Sequence, residues 1–448
     1  MKRDGTRIKM HPAEVRGKWI TRRRVAFALL VAVYVIAPLV SIRGQPLIQL
    51  DVAHRRFYFF GSTFNAQDFW MILPLILALV FALLAVTAWK GRVWCGWACP
   101  QTVFLEGVYR PIEQLFEGSR ERRIRFDAEP WSMRKALRKA AKFFVYLFIS
   151  LNIAQAAAAI FVGPKELWAM ILEGPLAHRE AFVLVMGFAA VLQFNFTWFR
   201  EQFCVIVCPY GRMQSVLHDR KSVTVSYAVD RGEPRGKPHL EEGAAKQGDC
   251  VDCGRCVAVC PTGIDIRNGL QMECVACLQC IDACDEIMTK LKKPIGLIGF
   301  ASQNERQGKK RELSVRVLVY AALALLSVGA LGFNVVARVP FEANVIRPRG
   351  ANPFVVDGQV IRNTFQVHVF NKNPRPSRLR VEIVSPVPAS IVLGVHSVEL
   401  PSLADANVPV AVSIERHLLA SKRTLTLKVF DEASGEVVEK PIPFLAPP

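Results

Sequence analysis

Eight of the chain's twelve cysteines fall between Cys250 and Cys284, and their order is the most chemically specific feature of the sequence. Cys250, Cys253, Cys256 and Cys260 follow C-x2-C-x2-C-x3-C and are closed by Pro261. Cys274, Cys277, Cys280 and Cys284 repeat the spacing, with Asp285 where the proline would stand. Thiolates at x2 spacing wrap successive corners of an iron–sulfur cube, and in bacterial two-cluster ferredoxins the fourth cysteine of each run ligates the other cluster. The spacing predicts one [4Fe–4S] cluster on Cys250, Cys253, Cys256 and Cys284. It predicts a second on Cys260, Cys274, Cys277 and Cys280. Pairs of C-x2-C also build four-cysteine zinc sites, but zinc uses two pairs set apart. A disulfide framework fits less well again.

The other four cysteines form a second constellation. Cys95 and Cys99 lie in Trp94-Cys-Gly-Trp-Ala-Cys-Pro100, and Cys204 and Cys208 in Phe203-Cys-Val-Ile-Val-Cys-Pro-Tyr210. One C-x3-C-P pair alone reads as buried structural cysteines before a helix-breaking proline. Two pairs, each just past an apolar span, point to a redox or metal site. Spacing of i, i+4 predicts both sulfurs of a pair on one helical face. Two such helices side by side would gather four thiolates at the membrane surface, a donor set that selects soft ions such as Cu(I). Spacing does not name the metal.

Apolar helices have to position both constellations. Residues 1–24 carry nine Lys or Arg, and five uncharged apolar runs follow: Val25–Ile42, Phe69–Trp89, Phe143–Val162, Ala181–Phe199 and Val317–Ala337. A membrane helix needs about 20 such residues. Loops 43–68 and 163–180 are poor in Lys and Arg, whereas 90–142 holds twelve and 200–316 holds eighteen. The positive-inside rule then puts the N-terminus and both cysteine constellations in the cytoplasm and residues 338–448 outside. All twelve cysteines fall in the segments so assigned to the reducing side, which favours ligand thiolates over disulfides. Within the second cytoplasmic segment, Trp131–Lys142 reads as a basic amphipathic stretch lying along the membrane surface. No cleavable signal peptide is expected, because the first apolar run lacks a small-residue cleavage pattern.

The tail changes character. Residues 365–369, 379–383, 408–414 and 425–429 alternate with period two, separated by Pro, Asn, Asp and Gly clusters such as Asn371–Pro374. That pattern predicts an immunoglobulin-like β-sandwich, here without an inter-sheet disulfide. His368, His396 and His417 are scattered and read as solvent-facing strand residues. The fold class is therefore multidomain. Residues 1–24 form a basic cytoplasmic N-terminus, and 25–212 a four-helix membrane region with the two C-x3-C-P motifs. Residues 213–316 form a cytoplasmic segment with an inserted ferredoxin-like two-cluster α+β domain at about 240–290. The fifth helix is 317–337, and 338–448 is the sandwich, outside.

The net charge of +19 raises the question of nucleic acid. Because none of the 57 Lys and Arg lies in an apolar run and most sit on one side of them, the charge reports membrane topology and argues against a nucleic-acid partner. The runs contain no Asp, Glu, Lys, Arg or His. A proton pump or ion channel would need ionisable groups at depth, and a membrane haem would need histidines. His54, His178 and His218, outside the runs, are possible ligands with an ordinary interfacial role as the simpler reading.

Arg92–Val103, Cys208–Ser215, Arg231-Gly-Glu-Pro-Arg-Gly236, Gly248–Met288 and Asp357-Gly-Gln-Val-Ile-Arg-Asn363, in that order, resemble the CcoG family of cytochrome c oxidase accessory proteins, also called FixG or RdxA. Leu105-Glu106 and Thr364 look like departures from the family pattern, and neither touches a cysteine. The resemblance implies a bacterial inner-membrane polyferredoxin that reduces Cu(II) to Cu(I) for assembly of the cbb3-type oxidase. It implies a cupric reductase with the oxidase and its copper-delivery assembly factors as partners, and copper at Cys95, Cys99, Cys204 and Cys208. The cytoplasmic electron donor is not implied. Rival readings are a quinol-linked electron-transfer polyferredoxin and a non-enzymatic assembly scaffold or copper chaperone. The tail and the absence of an exported flavin-attachment motif favour the first reading.

Overall fold

The computed structural model describes residues 9–42, 45–52, 56–236, 248–339, 341–348, 350, 352–373, 375–418, 424–432 and 434–447. His54, residues 240–247 of the expected ferredoxin domain and Pro374 lie outside the described residues. The chain divides into two compact units, one of residues 1–51 and 72–331, the other of 52–71 and 332–448.

The first unit holds both cysteine constellations. Its helices begin with α1 (Lys18–Ile36), α2 (Ile72–Lys90), α3 (Val93–Trp97) and α4 (Pro100–Phe104). A π-helical turn over Leu105–Tyr109 leads into α5 (Arg110–Glu117) and α6 (Arg120–Ala128). The long α7 (Met133–Val162), α8 (Pro164–Glu173) and α9 (Arg179–Phe194) follow, α9 running on as a π turn over Asn195–Phe199. A second π turn, Phe203–Val207, precedes α10 (Pro209–Leu217).

Four helices among the described residues are long and apolar enough to cross a membrane: Ile72–Lys90, Met133–Val162, Arg179–Phe199 and Val315–Val336. Five were expected, and the exception is the first. The predicted run Val25–Ile42 is α-helical only to Ile36, continues as a 3-10 turn over Ala37–Leu39, and is extended at Ser41–Ile42. Pro38 lacks the N–H that would carry the helix on. The helix also starts upstream at Lys18, so its second turn holds Arg22, Arg23 and Arg24. Its apolar part, Val25–Ile36, rises about 18 Å at 1.5 Å per residue, well short of the ~30 Å hydrocarbon core.

The basic stretch before the third run also differs from expectation. Met133–Lys142 is the start of α7 and forms no separate surface helix, with Ser132 accepting from the Lys135 amide at its N-cap. No Pro or Gly interrupts the run, and the lysines have partners on the preceding helices, carboxylates for Lys139 and Lys142 and a backbone carbonyl for Lys135. Lys139 pairs with Asp127 at 2.8 Å, Lys142 pairs with Glu117, and Lys135 donates to the Asp127 carbonyl.

The ferredoxin-like segment closes on a two-stranded antiparallel sheet, Thr224–Tyr227 against Ile298–Ala301, which brackets all eight cysteines and reaches beyond 240–290. Its core packs Val225, Tyr227, Ile266, Leu278, Met288 and Leu297 with buried cysteines. The N-terminal segment is docked here as well. The Ala13 amide donates to the Ala258 carbonyl at 2.8 Å, and Asp282 accepts from the Trp19 and Ile20 amides at the start of α1. A β-carbon on Gly17 would meet the Asp282 carboxyl carbon at 2.3 Å, so that approach requires glycine.

In the second unit, nine strands form two antiparallel sheets. One orders Ser390–Leu393, Asp405–Glu415, Val360–Asn371 and Phe341–Ile346, with Val355–Asp357 also paired to Val360–Asn371. The other orders Ser397–Leu400, Ser377–Val384, Thr424–Asp431 and Val437–Pro443. Alternate residues such as Phe365, Val367, Val369 and Leu425, Leu427, Val429 fill the shared core, as period-two sequence requires. Of the three tail histidines only His368 lies in a strand, paired with Asp405 at 3.0 Å; His396 and His417 are exposed on turns. A hairpin, Arg56–Phe59 with Ser62–Asn65, belongs to this unit, and the nearby Asp68 carboxylate binds Arg338 at 2.9 Å and Lys372 at 2.8 Å.

Candidate electron-transfer site

Two cavities in the ferredoxin-like segment sort the eight cysteines. One is lined by Cys250, Cys253, Cys256 and Cys284. The other is lined by Cys260, Cys274, Cys277 and Cys280, with Cys256 on the wall between them. Each grouping draws its fourth thiol from the other sequence run. Asp252, Ala276 and Leu278 hold positive φ at 51°, 50° and 64°. A backbone held in that region around cysteines is one that the fold over-determines, as binding loops are.

Burial raises the thiols, Cys256 and Cys274 to about 11 and Cys277 and Cys284 to about 12, with neighbouring cysteines adding to the rise at Cys284 and Cys280. Such thiols stay protonated unless a metal displaces the proton. Among the described residues no three His, Cys, Asp or Glu side chains converge tightly enough to hold a single metal ion. The corner thiolates of a cubane stand further apart than ligands of one ion, so the sulfur-only donor sets fit iron–sulfur clusters better than mononuclear zinc.

The C-x3-C-P cysteines do not share a helical face as expected. Cys95 sits inside α3, but Cys99 is the N-cap of α4; Cys204 sits in the π turn, and Cys208 is the N-cap of α10. Proline is the cause. It disfavours helical backbone in the residue before it and suits the first position of the next helix, so Cys99 and Cys208 are extended, with ψ of 126° and 111°.

The four thiols nonetheless lie within electrostatic range of one another, without converging as the ligands of one ion. Cys95 lies in electrostatic range of Cys99 and Cys208, and Cys204 of Cys99, Cys95 and Cys208. Burial pushes Cys95 up to about 11 and Cys204 to about 12. Cys99 is also raised by burial, while the amides of Gln101 and Thr102 at the start of α4 act in the opposite direction.

This pocket adjoins the second ferredoxin cavity. Cys95, Val275 and Cys277 pack in one buried cluster against Tyr210. Gly96 allows the approach, since a β-carbon there would stand 2.4 Å from the Val275 carbonyl oxygen. Trp97 Nε1 donates to the Ala276 carbonyl at 3.3 Å, and Arg23 Nε donates to the Gly96 carbonyl at 2.7 Å.

A buried ion network, with no local sequence signal, holds the two motif segments together. Arg200, in the left-handed region at φ 50°, grips Glu113 of α5 with both terminal nitrogens. Arg110 binds Glu106 at 2.9 Å and Glu201 at 3.4 Å, and reaches the Pro261 carbonyl beside Cys260. Glu106, one of the apparent departures from the family pattern, is thus a member of this network. His178 is paired with Glu173 at 2.6 Å. His218 borders a cavity with Arg92, Gln214, Met272 and Cys274, and its Nε2 is buried without a partner among the described residues.

Comparisons with known proteins divide the chain in the same way. Family models match residues 199–303 as a 4Fe-4S dicluster domain, 72–122 as a 4Fe-4S binding domain, and 331–447 as the Ig-like fold at the C-terminus of FixG. Protein RdxB of Cereibacter sphaeroides is 35% identical over 87% of this chain and 85% of its own length. The nitrogen fixation protein FixG of Rhizobium meliloti is 32% identical over 84% and 79%, and Protein RdxA of Cereibacter sphaeroides 33% identical over 84% and 82%.

Proposed function

The chain belongs to the FixG/RdxA family of 4Fe–4S electron-transfer proteins, and from that footing we propose that it is a membrane-bound reductase of Cu(II). The observation that carries the reading is the packing of Cys95 and Cys277 on Val275, which sets the four-thiol pocket against the second ferredoxin cavity. Cys250, Cys253, Cys256 and Cys284 would hold one [4Fe–4S] cluster and Cys260, Cys274, Cys277 and Cys280 the other. Bound there, the clusters supply one-electron transfer.

The chain's own residues do the rest. Cys95, Cys99, Cys204 and Cys208 would have to draw closer to hold the substrate Cu(II), since as they stand no three of them converge on one ion. The bound ion takes up one electron and becomes Cu(I) while the thiolates stay unoxidised. Sulfur favours Cu(I), so the reduced product is the better-bound ion. Cys95 is buried and the other three are half-buried, which limits access of water, while sulfur disfavours hard cations. Glu113, Arg200 and Arg110 hold the two motif segments in register.

The topology we propose keeps the cysteine constellations cytoplasmic and the sandwich periplasmic, in a bacterial inner membrane. In support, the hairpin before α2 and the domain after Val315–Val336 share one unit, so those two helix ends face the same side. α1 starts against the ferredoxin-like segment and meets α7 through the Tyr34 hydroxyl, which donates to the Ile153 carbonyl at 2.8 Å. The apolar part of α1 is too short to cross as a helix; the run Val25–Ile42 would span only with its 3-10 turn and extended end included. The partners proposed are a cbb3-type oxidase and its copper-delivery factors.

A second reading has its own support. The 4Fe-4S binding model over 72–122 spans only two cysteines, Cys95 and Cys99. An iron–sulfur occupant completed by Cys204 and Cys208 would then replace copper in the pocket. Iron and copper analysis of anaerobically purified protein separates the two: about eight irons per chain plus copper supports the first, about twelve irons the second. If dithionite-reduced protein is not reoxidised by Cu(II), the reductase proposal fails.

A further inference from the structure

Five arginines are buried among the described residues. Three have carboxylates: Arg110 has Glu106 and Glu201, and Arg123 and Arg200 share Glu113. The other two, Arg23 and Arg92, have no carboxylate within ion-pair distance among the described residues. Each is met by neutral oxygens. Arg23 donates to the Gly96 carbonyl and, once the Gln279 amide is turned so that its oxygen faces the guanidinium, to Gln279 at 2.7 Å; its Nη2 has no partner among the described residues. Arg92 donates to the Gly211 carbonyl and, once the Gln214 amide is turned so that its oxygen faces the guanidinium, to Gln214.

A buried charge without a counter-charge is costly, and such groups are normally paired. Both unpaired guanidiniums lie on the same side of the ferredoxin-like segment. Arg23 holds Gly96 against the Val275 and Ala276 carbonyls and lies in electrostatic range of Cys277. Arg92 lines a cavity with Cys274 and is in range of it, as it is of Cys95 and Cys204 in the adjoining thiol pocket. Around Cys250, Cys253, Cys256 and Cys284 the balance is reversed. There Arg267 lines the cavity but is taken up by two carboxylates, Asp265 and Asp252; Arg255 also lines it, but half-exposed and donating to the Glu14 carbonyl, and Asp285 follows Cys284.

We infer that Arg23 and Arg92 are the counter-charges of the second cluster and hold its reduction potential above that of the first. A cubane on four thiolates is anionic and gains further negative charge on reduction, so nearby positive charge raises its potential. The exposed Cys253 admits water to the first set, and that water also stabilises a reduced cluster, but the two buried guanidiniums outweigh it. Water screens charge at that rim, whereas the two guanidiniums act through buried protein, where screening is weakest. The electron therefore settles at the thiols beside Cys95. The inference rests on the two-cluster reading and needs no copper.

The test is potentiometric titration of the full-length, anaerobically purified holoprotein, followed by EPR. Cys277→Ser marks the second cluster's signal, and iron content is measured on every sample. The wild type should show the second cluster reduced first. Arg23→Gln and Arg92→Gln should each move the electron's distribution at least tenfold toward the first cluster, about 59 mV for a one-electron couple. Arg23→Lys and Arg92→Lys keep the charge and should keep the wild-type order, which covers the case of a Gln variant that fails to load. A wild type in which the first cluster is reduced first, or loaded Gln variants with unchanged potentials, overturns the inference. Iron well below two cubanes in the wild type overturns the cluster reading itself.

Discussion

Arg200 grips Glu113 through two parallel hydrogen bonds, Nη1–Oε1 at 3.1 Å and Nη2–Oε2 at 2.7 Å, with both side chains buried. The pair joins α5, which follows the first C-x3-C-P motif, to the turn that precedes the second. Far apart in sequence, the two motifs are fastened by charge rather than by shared helical periodicity.

Replacing Glu113 by Gln should therefore be costly. Removing one partner strands a buried guanidinium, and breaking such pairs costs about 3–5 kcal/mol. Thermal unfolding in detergent should show the loss, and the C-x3-C-P thiols should become more reactive toward alkylating agents. The pH sign follows from the carboxyl, which Arg200 and Lys142 hold well below its usual range against the cost of burial. Its contribution is complete above the unfolded value of about 4.3 and is lost only as pH falls through the depressed folded value. The stability difference between Glu113→Gln and wild type should be flat from about pH 5 to 8 and shrink in acid.

The cavity grouping makes a prediction about single ligands. Cys284→Ser should remove the cluster otherwise held by Cys250, Cys253 and Cys256, and Cys260→Ser the one held by Cys274, Cys277 and Cys280. Each should lower iron from about eight to about four per chain. Spectra that assign Cys284 to the Cys274–Cys280 group would reverse the crossover.

Gly96 is a point of close approach between the thiol-pocket segment and the ferredoxin-like segment. In Gly96→Ala the new methyl would stand 2.4 Å from the Val275 carbonyl and 2.9 Å from that of Ala276. Overpacking of this kind costs about 1–3 kcal/mol. Both clusters should still assemble, while electron delivery from reduced protein to Cu(II) slows. An unchanged rate would mean that electrons leave by another route.

In the sandwich, Asn363 is fully buried; its amide donates to the Leu445 carbonyl at 2.7 Å and accepts from the Leu445 amide at 2.9 Å. Asn363→Ala leaves two backbone groups unpaired and should cost about 1–3 kcal/mol, read as a lower Tm with the iron content unchanged.

Local order explains what could be read from the chain. The ferredoxin cysteines lie two or three residues apart, and the period-two strands carry their burial in adjacent letters, so both are visible without a fold. Apolar length revealed four membrane-length helices but overstated the first run, because it ignored Pro38 and the arginines one turn earlier. The C-x3-C-P spacing suggested one helical face, whereas the proline restarts the helix after Cys99 and Cys208. Glu113 with Arg200, Arg23 with Gly96, and Asp282 with the start of α1 are 87, 73 and 262 residues apart. Contacts at such separation leave no period or motif to detect.

The most direct test mixes anaerobic, dithionite-reduced protein with Cu(II) and follows the Cu(II) and reduced-cluster EPR signals together. The wild type should lose both in step. The Cys95→Ser, Cys99→Ser, Cys204→Ser, Cys208→Ser quadruple variant should keep about eight irons per chain yet leave the Cu(II) signal standing. If the variant reduces Cu(II) at the wild-type rate, the four-thiol pocket is not where copper receives its electron.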